Sequence, residues 1–241
     1  MILTPDCINA VQALYATFSR YPLHADTNAC PCCHKPGQER VLHSKPLRAL
    51  SAEDLRLYAR DAILVWGGED DFRHFLPRIF ELMVTVPDPA FEMDNTAIVF
   101  NKLRFGNWES WPGDEQKAIR QYFLASWKAF LRTSPDETGS TDAEDWLCGI
   151  AQAEDEMTPY LAIWESDKSV EAARHLSIVI VEHSFVQDDA RPSDFWNKRK
   201  EQWSQVRQWL LSGSPQKTLK SVAAAQRDDR FDLAMQVLRV D

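Results

Sequence analysis

The sequence predicts an all-α protein, and three observations support this prediction. Apolar residues recur at the helical period along most of the 241 residues, and helix-capping residues stand at the start of several such stretches. The eight glycines are few for an all-β fold, which needs many turns. We expect about ten helices in antiparallel pairs, packed either as a globular helical bundle or as a short superhelix of the armadillo or HEAT kind. The absence of a sequence repeat of fixed period favours the globular arrangement.

The first predicted helix follows Thr4-Pro5-Asp6, which supplies an N-cap, a proline at the first helical position and an early acid. Its apolar stripe runs from Ile8 to Phe18 at helical spacing, and Tyr21-Pro22 ends it. The segment 22–50 is rich in proline and irregular, with room for one short helix at Gln38–His43.

Two further helices are predicted on either side of Gly67-Gly68. Ser51 and Asp54 open the first in the manner of a capping box, and the glycine pair ends it. The acids Glu69-Asp70-Asp71 begin the second, where the helix dipole favours negative charge. Pro77 inside this second helix predicts a kink or a new helix start.

The remaining helices are predicted from capping residues and from apolar residues at helical spacing. Their expected starts are Asn95-Thr96, Trp111-Pro112, the residues before Trp146, Pro159, Ser169, Ser193-Asp194, Ser214-Pro215 and the residues before Phe231. In the helix expected after Ser193-Asp194, Trp196, Trp203 and Leu210 repeat at seven residues.

The length predicts one helical domain over residues 1–241, because a chain of this size is near the upper limit for a single hydrophobic core. An irregular excursion that contains cysteine and histidine interrupts it at 22–50. The polar, turn-rich stretch 133–142 is the best candidate for a minor boundary.

Composition restricts the partner and the compartment. The net charge of −9 disfavours direct binding of nucleic acid, which is held mainly through its phosphates by Lys and Arg. It favours a basic protein partner, or serves solubility alone. No apolar run approaches the roughly 20 residues of a membrane span, and the N-terminus lacks the pattern of a signal peptide. The five cysteines do not form the pattern of a disulfide framework, so we expect a cytoplasmic protein.

Three of the five cysteines fall within four positions, and they predict a metal site. Cys30 and Cys33 have the Cys-x-x-Cys spacing with which two thiolates hold one Zn²⁺. The remaining ligands of a tetrahedral site would come from His24, Cys32, His34 or His43. We expect one structural zinc, held by Cys30, Cys33 and His24. Two other interpretations are free thiols in a surface loop and a redox dithiol, although the helical setting that lowers a thiol pKa is not evident here.

A second group of polar residues lies in the helix after Gly67-Gly68. Arg73 is three residues after Asp70, and His74 lies four residues from both Asp70 and Arg78. These spacings predict a structural lattice of ion pairs and hydrogen bonds formed by Asp70, Asp71, Arg73, His74 and Arg78. A carboxylate that orients a histidine also occurs in general-base catalysis, but no nucleophile accompanies this pair in the sequence.

Several strings of the chain resemble those of a family of uncharacterised bacterial all-helical proteins. The resemblance covers most of the chain and depends on Pro46-Leu47-Arg48-Ala49-Leu50, Trp66-Gly67, the string DFRHFLPR at 71–78, Leu103-Arg104-Phe105, Trp108, WPGDEQ at 111–116 and Phe195-Trp196. The spacing of Cys30 and Cys33 is similar to that of the family, whereas Cys32 departs from its pattern. The resemblance implies a bacterial cytoplasmic helical protein, and it implies no activity.

Two functions are consistent with these features. An acidic, helical chain without an evident catalytic motif suits a non-enzymatic protein-binding module, such as an immunity-type inhibitor that neutralises a cationic toxin, for example a nuclease. Aromatic residues would then anchor the interface. The alternative is a zinc-dependent enzyme that joins the cluster at Cys30 and Cys33 to the region of His74.

Overall fold

Helices account for nearly all the regular structure of the protein. The structure is a computed structural model, and it describes residues 1–25, 29–35, 37–85, 96–187, 192 and 194–238. The α-helices in these ranges are α1 (Pro5–Phe18), α2 (Ala52–Asp61), α3 (Glu69–Thr85), α4 (Thr96–Phe105), α5 (Gly113–Leu131), α6 (Ala143–Ala153), α7 (Thr158–Ser166), α8 (Val170–Glu182), α9 (Lys200–Leu211), α10 (Ser214–Ala225) and α11 (Asp229–Val237). Short 3₁₀ helices span Gln38–His43, Leu47–Ala49, Trp108–Ser110, Pro135–Glu137 and Ser184–Val186.

The all-α prediction is confirmed. The described ranges contain no strand, and their β structure is limited to two isolated bridges, from Trp66 to Ala29 and to Ala62. No helix in those ranges combines the length and the apolar character needed to cross a bilayer.

Two predicted helix starts are confirmed in atomic detail. The side chain of Thr4 accepts a hydrogen bond from the N–H of Cys7 and so caps α1. At α2, Ser51 and Asp54 exchange both hydrogen bonds of a capping box. These local signals act within one turn of helix, which is why they can be read directly from the sequence.

The predicted extent of α2 is wrong, because the helix ends at Asp61 rather than at Gly67-Gly68. Ile63 has a φ of +68°, a left-handed conformation that is costly for a β-branched residue and stops the helix. The turn is stabilised by buried Trp66, whose backbone pairs with Ala29 and Ala62. Contacts from a distant part of the sequence therefore override the local helical pattern.

Pro77 does not start a new helix, since α3 continues through it as one helix. The helix predicted after Ser193-Asp194 begins later, at Lys200. Trp196 lies in the preceding turn instead, where its ring is buried and its Nε1 donates a 2.6 Å hydrogen bond to Glu144. Ser193 and Asn95, which belong to two predicted caps, lie outside the described residues.

The chain divides into two compact units, and the division falls inside α5. The first unit contains Met1 and Leu3–Ser126, and the second contains Ile2 and Trp127–Asp241. The single domain over 1–241 stays a prediction. The predicted minor boundary at 133–142 lies within the second unit.

Each unit has an aromatic core of its own. In the first, Phe80 packs against Tyr122 with a ring distance of 4.7 Å and against Phe100 at 5.3 Å. In the second, Trp127 packs edge-on against Trp164 at 5.2 Å. Seven of the nine tryptophans are buried: Trp66, Trp108, Trp111, Trp127, Trp146, Trp164 and Trp196. Most of the tryptophans therefore belong to the core.

Candidate functional site

A single turn of backbone brings three cysteine side chains together in the first unit. The carbonyl oxygen of Cys30 accepts hydrogen bonds of 3.0 Å from the N–H groups of Cys33 and His34. The Sγ atoms of Cys30, Cys32 and Cys33 all lie within 4.8 Å of one another, with 2.6 Å between Cys30 and Cys32 and 3.6 Å between Cys32 and Cys33. We call these three residues the cysteine cluster. It is a group of thiols that can hold a metal ion.

The loop that carries the cysteine cluster is fixed to the turn after α2. The N–H of Cys30 donates a 2.7 Å hydrogen bond to the carbonyl oxygen of Val65. On the other side of the cluster, the ring of His34 is buried and lies 4.4 Å from that of Trp66. Its Nε2 is 3.3 Å from a carboxylate oxygen of Asp61. Protein contacts alone thus hold both ends of this loop.

The thiols of Cys30 and Cys32 differ in acidity because of their hydrogen bonds. Bonds from the thiol and backbone N–H of Cys32, reinforced by those of Cys33, lower the pKa of Cys30. The hydrogen bond of Cys32 to Cys30 is the main reason that the pKa of the Cys32 thiol is raised to about 11. Cys30 therefore ionises before Cys32, and a metal ion must displace the proton of Cys32.

The cysteine cluster does not coincide with the predicted ligand set of Cys30, Cys33 and His24. His24 lies apart from the three sulfurs, and its Nδ1 is 2.9 Å from Oδ1 of Asp71. The structure brings Cys32 into the cluster in its place. The signal for Cys32 was present in the string Cys30-Pro31-Cys32-Cys33, because a one-turn loop gathers all its cysteines.

Of the predicted ion-pair lattice, the structure brings Asp70 and Arg73 together. A guanidinium nitrogen of Arg73 donates a 3.1 Å hydrogen bond to Asp70, and another lies 3.4 Å from Glu69. The same guanidinium stacks over the rings of Trp111, at 4.2 Å, and Tyr21, at 5.1 Å. Arg73 is thus held by acids of its own helix, by Trp111 before α5 and by Tyr21 after α1.

The other three members of the lattice bind different partners. Asp71 accepts a 2.8 Å hydrogen bond from the N–H of Gly68 and so stabilises the start of α3. The Nδ1 of His74 donates to the carbonyl oxygen of Tyr21 at 2.8 Å, and His74 does not belong to the cysteine cluster. Arg78 donates to the carbonyl oxygen of Leu50 at 2.7 Å and to Glu81 at 2.6 Å. These three side chains therefore bind the backbone of segments around α3, or another side chain of α3, and do not bind one another.

Sequence reasoning missed Glu115, which is fully buried near the start of α5. Its Oε1 accepts a 2.6 Å hydrogen bond from the hydroxyl of Tyr21, and its Oε2 lies 3.7 Å from Nε of Arg73. Burial, reinforced by this hydrogen bond, raises the pKa of Tyr21 to about 12. No local pattern marks Glu115, since an acid in the first turn of a helix is normally exposed.

Glu115 and Arg73 join the N-termini of α3 and α5 into one acidic surface. Arg20 pairs with Asp114 and lies 3.8 Å from Glu115, so the two guanidiniums connect acids from both helices. We call the carboxylates gathered here the acidic cluster, which consists of Glu69, Asp70, Asp114 and Glu115. Glu69, Asp70 and Asp114 expose 48%, 54% and 54% of their side chains.

A further acidic group in the second unit is accounted for by its own hydrogen bonds. Asp142 caps α6, forms a capping box with Asp145 and lies 2.6 Å from His183. Glu144 accepts the hydrogen bond of Trp196. Burial raises the pKa of both Glu144 and Asp145. Burial also acts to raise the pKa of Asp142, but the hydrogen bond and charge of His183, together with two backbone hydrogen bonds, outweigh it and lower that pKa. These contacts fix the start of α6 and give no sign of a ligand.

Comparisons with known proteins returned no match, whether with family models, with curated proteins or with solved structures. The family resemblance of the DFRHFLPR string therefore stays an expectation.

Proposed function

We propose that this protein is a non-catalytic binding module of the bacterial cytoplasm that binds a basic protein partner. Its function is that of an immunity-type inhibitor, which neutralises a cationic toxin such as a nuclease. The observation that carries the proposal is the acidic cluster, where the N-termini of α3 and α5 place four carboxylates around the guanidiniums of Arg20 and Arg73.

The charge of this surface favours a cationic partner. Arg20 and Arg73 are already paired with carboxylates within the cluster, so the exposed oxygens of Glu69, Asp70 and Asp114 keep an excess of negative charge. Complementary charge accelerates association and makes it sensitive to salt. Because most tryptophans are in the core, the proposal depends on charge and not on tryptophan anchors.

The test uses the purified chain and the purified product of the adjacent gene, with binding measured by titration calorimetry. We expect a complex whose affinity falls as the salt concentration rises. A variant with Glu69→Gln, Asp70→Asn and Asp114→Asn should weaken binding at least tenfold. A matched control removes three other exposed acids through Asp136→Asn, Glu137→Gln and Glu182→Gln, and it should leave the affinity within about twofold.

Two results would contradict this proposal. If the adjacent gene product does not bind, the immunity role is wrong. If it binds and both triple variants behave alike, the acidic cluster is not the surface that recognises it.

We also propose that the ion of the cysteine cluster is zinc, because thiolates are the ligands that Zn²⁺ favours and a reducing cytoplasm keeps them available. Thiol reactivity tests this. In metal-free protein a chromogenic disulfide reagent should react with the accessible thiols of Cys30, Cys32 and Cys33 before it reaches the buried thiols of Cys7 and Cys148.

One equivalent of zinc should suppress the three rapid reactions. Magnesium, which prefers oxygen ligands, is the control and should leave them unchanged. Rapid reaction of all three thiols in the presence of zinc would overturn the assignment.

A further inference from the structure

We infer that Cys30, Cys32 and Cys33 together form a three-thiolate zinc site whose fourth coordination position is open to a ligand from outside the chain. The inference rests on the proposed zinc occupancy and deepens it, because it replaces His24 by Cys32 and gives the ion an exchangeable ligand.

The sulfur positions fit one ion. Three thiolates that bind one zinc at about 2.3 Å with tetrahedral angles lie roughly 3.8 Å apart. Cys32 and Cys33 are already separated by 3.6 Å. The Sγ atoms of Cys30 and Cys32, at 2.6 Å, must separate by about 1 Å when an ion enters between them. A rotation of the exposed Cys32 side chain suffices for such a movement.

The loop supplies the supporting contacts that a thiolate site requires. The backbone N–H groups of Cys32 and Cys33 hydrogen-bond to the thiol of Cys30, and such bonds also stabilise a metal-bound thiolate. The hydrogen bond from Cys30 to Val65 fixes the first ligand to the turn after α2. Backbone positions are therefore set before the ion arrives, and only side chains have to adjust.

The fourth position faces solvent. Cys32 and Cys33 are exposed and Cys30 is half-buried, so the cluster lies at the surface of the loop. Within the described ranges, no His, Asp or Glu joins the three sulfurs in the group that can hold an ion. His24 is bonded to Asp71, and buried His34 points to Asp61. Zinc held by three protein ligands completes its tetrahedron with water or with an incoming donor.

Cobalt(II) substitution of the full chain tests the ligand count and the open position separately. Sulfur-to-cobalt charge-transfer absorption in the near ultraviolet should correspond to three thiolates, and the visible bands to a tetrahedral ion. Cys32→Ser should remove about one third of the charge-transfer intensity, since one of three metal–sulfur bonds is lost. His24→Ala should leave the spectrum unchanged. Far-ultraviolet circular dichroism checks that both variants are folded.

Added imidazole or azide should shift the visible bands while the charge-transfer intensity stays constant, because either ligand replaces water at the fourth position. A spectrum that Cys32→Ser leaves unchanged and His24→Ala alters would overturn the three-thiolate set. Visible bands that do not respond to either ligand would overturn the open position. If neither cobalt nor zinc binds, the proposed zinc occupancy itself fails, which distinguishes the two proposals.

Discussion

The Nε of Arg73 lies 3.7 Å from Oε2 of Glu115, which places a buried carboxylate of α5 directly beside a side chain of α3. The Glu115 side chain has no exposed surface, and that of Arg73 exposes 14%. Neither atom makes a hydrogen bond within the described residues, so their interaction is electrostatic. A buried carboxylate that loses its cation is strongly destabilising.

Arg73→Met should therefore lower the free energy of unfolding by about 3 kcal/mol, because it removes the nearer and more buried of the two guanidiniums beside the buried charge of Glu115 and leaves only Arg20, which is half exposed. Adding Glu115→Gln should restore part of this loss, since the amide removes the charge and still accepts the hydrogen bond of Tyr21. Urea unfolding of both single variants and of the double variant measures the coupling. Strictly additive effects would contradict the interaction.

Substitution of two buried tyrosines by phenylalanine should change the free energy of unfolding in opposite directions. The hydroxyl of Tyr58 is buried without a hydrogen-bond partner among the described residues, whereas that of Tyr122 donates to the carbonyl oxygen of Phe80 at 2.9 Å. Tyr58→Phe should raise the free energy of unfolding by about 1 kcal/mol, and Tyr122→Phe should lower it by a similar amount. Thermal or urea unfolding that ranks the two variants in the opposite order would contradict this prediction.

The neighbouring glycines before α3 should respond differently to alanine. Gly67 has a φ of +68°, and a Cβ there would lie 2.8 Å from a carboxylate oxygen of Asp71. Gly67→Ala should cost about 2 kcal/mol, from left-handed strain and from displacement of Asp71. A Cβ at Gly68 meets no described atom within 4 Å, so Gly68→Ala should cost less than about 1 kcal/mol. Equal losses in urea unfolding would show that neither strain nor Asp71 matters here.

His183 should make stability depend on pH. Burial acts to lower the pKa of His183, but the hydrogen bond to Asp142 and the charge of that carboxylate outweigh burial and raise it. Because the folded pKa is the higher one, protonated His183 stabilises the folded protein at pH values below its unfolded pKa of about 6.5. This stabilisation is lost as the pH rises through the folded pKa. The lowered pKa of Asp142 limits the effect on the acid side, below about pH 4.

The stability difference between the native protein and His183→Gln should therefore be largest near pH 5.5 and decrease towards about pH 8. His175 is the control with the opposite sign. Burial lowers its pKa, so protonation of the unfolded chain reduces stability below about pH 6.5, and the difference between native protein and His175→Gln should shrink on acidification. Unfolding curves at several pH values measure both, and parallel trends would contradict the assignment.

The fold class and the helix starts could be predicted because their causes are local. Thr4 and Ser51 cap the helices that follow them, and the hydrogen bonds involved span only three residues. The end of α2 could not be predicted, because it depends on the pairing of Trp66 with Ala29 across a gap of more than thirty residues. Only a three-dimensional contact explains why the helical pattern stops at Asp61.

In the candidate sites, too, features with local causes could be predicted and features that depend on distant contacts could not. The cysteine cluster could be predicted from the sequence, since one turn of backbone gathers its members. That Cys32 joins it while His24 lies beside Asp71 depends on the three-dimensional positions of these side chains. Glu115 was not visible at all, because its burial depends on the approach of α3 and of the chain after α1. Spacing on one helix likewise suggested that His74 pairs with Asp70, whereas its ring nitrogen binds the backbone at Tyr21.

The hydrogen bond between Cys30 and Val65 has a consequence for metal exchange. Many small zinc-binding segments unfold when a chelator removes the ion, because the metal is their only cross-link. Here the segment is tied to the helical body by Cys30 on one side and by His34 on the other. We expect metal ions to enter and leave without a folding step. The cysteine cluster should therefore exchange metal ions with the solution as a preformed chelator does.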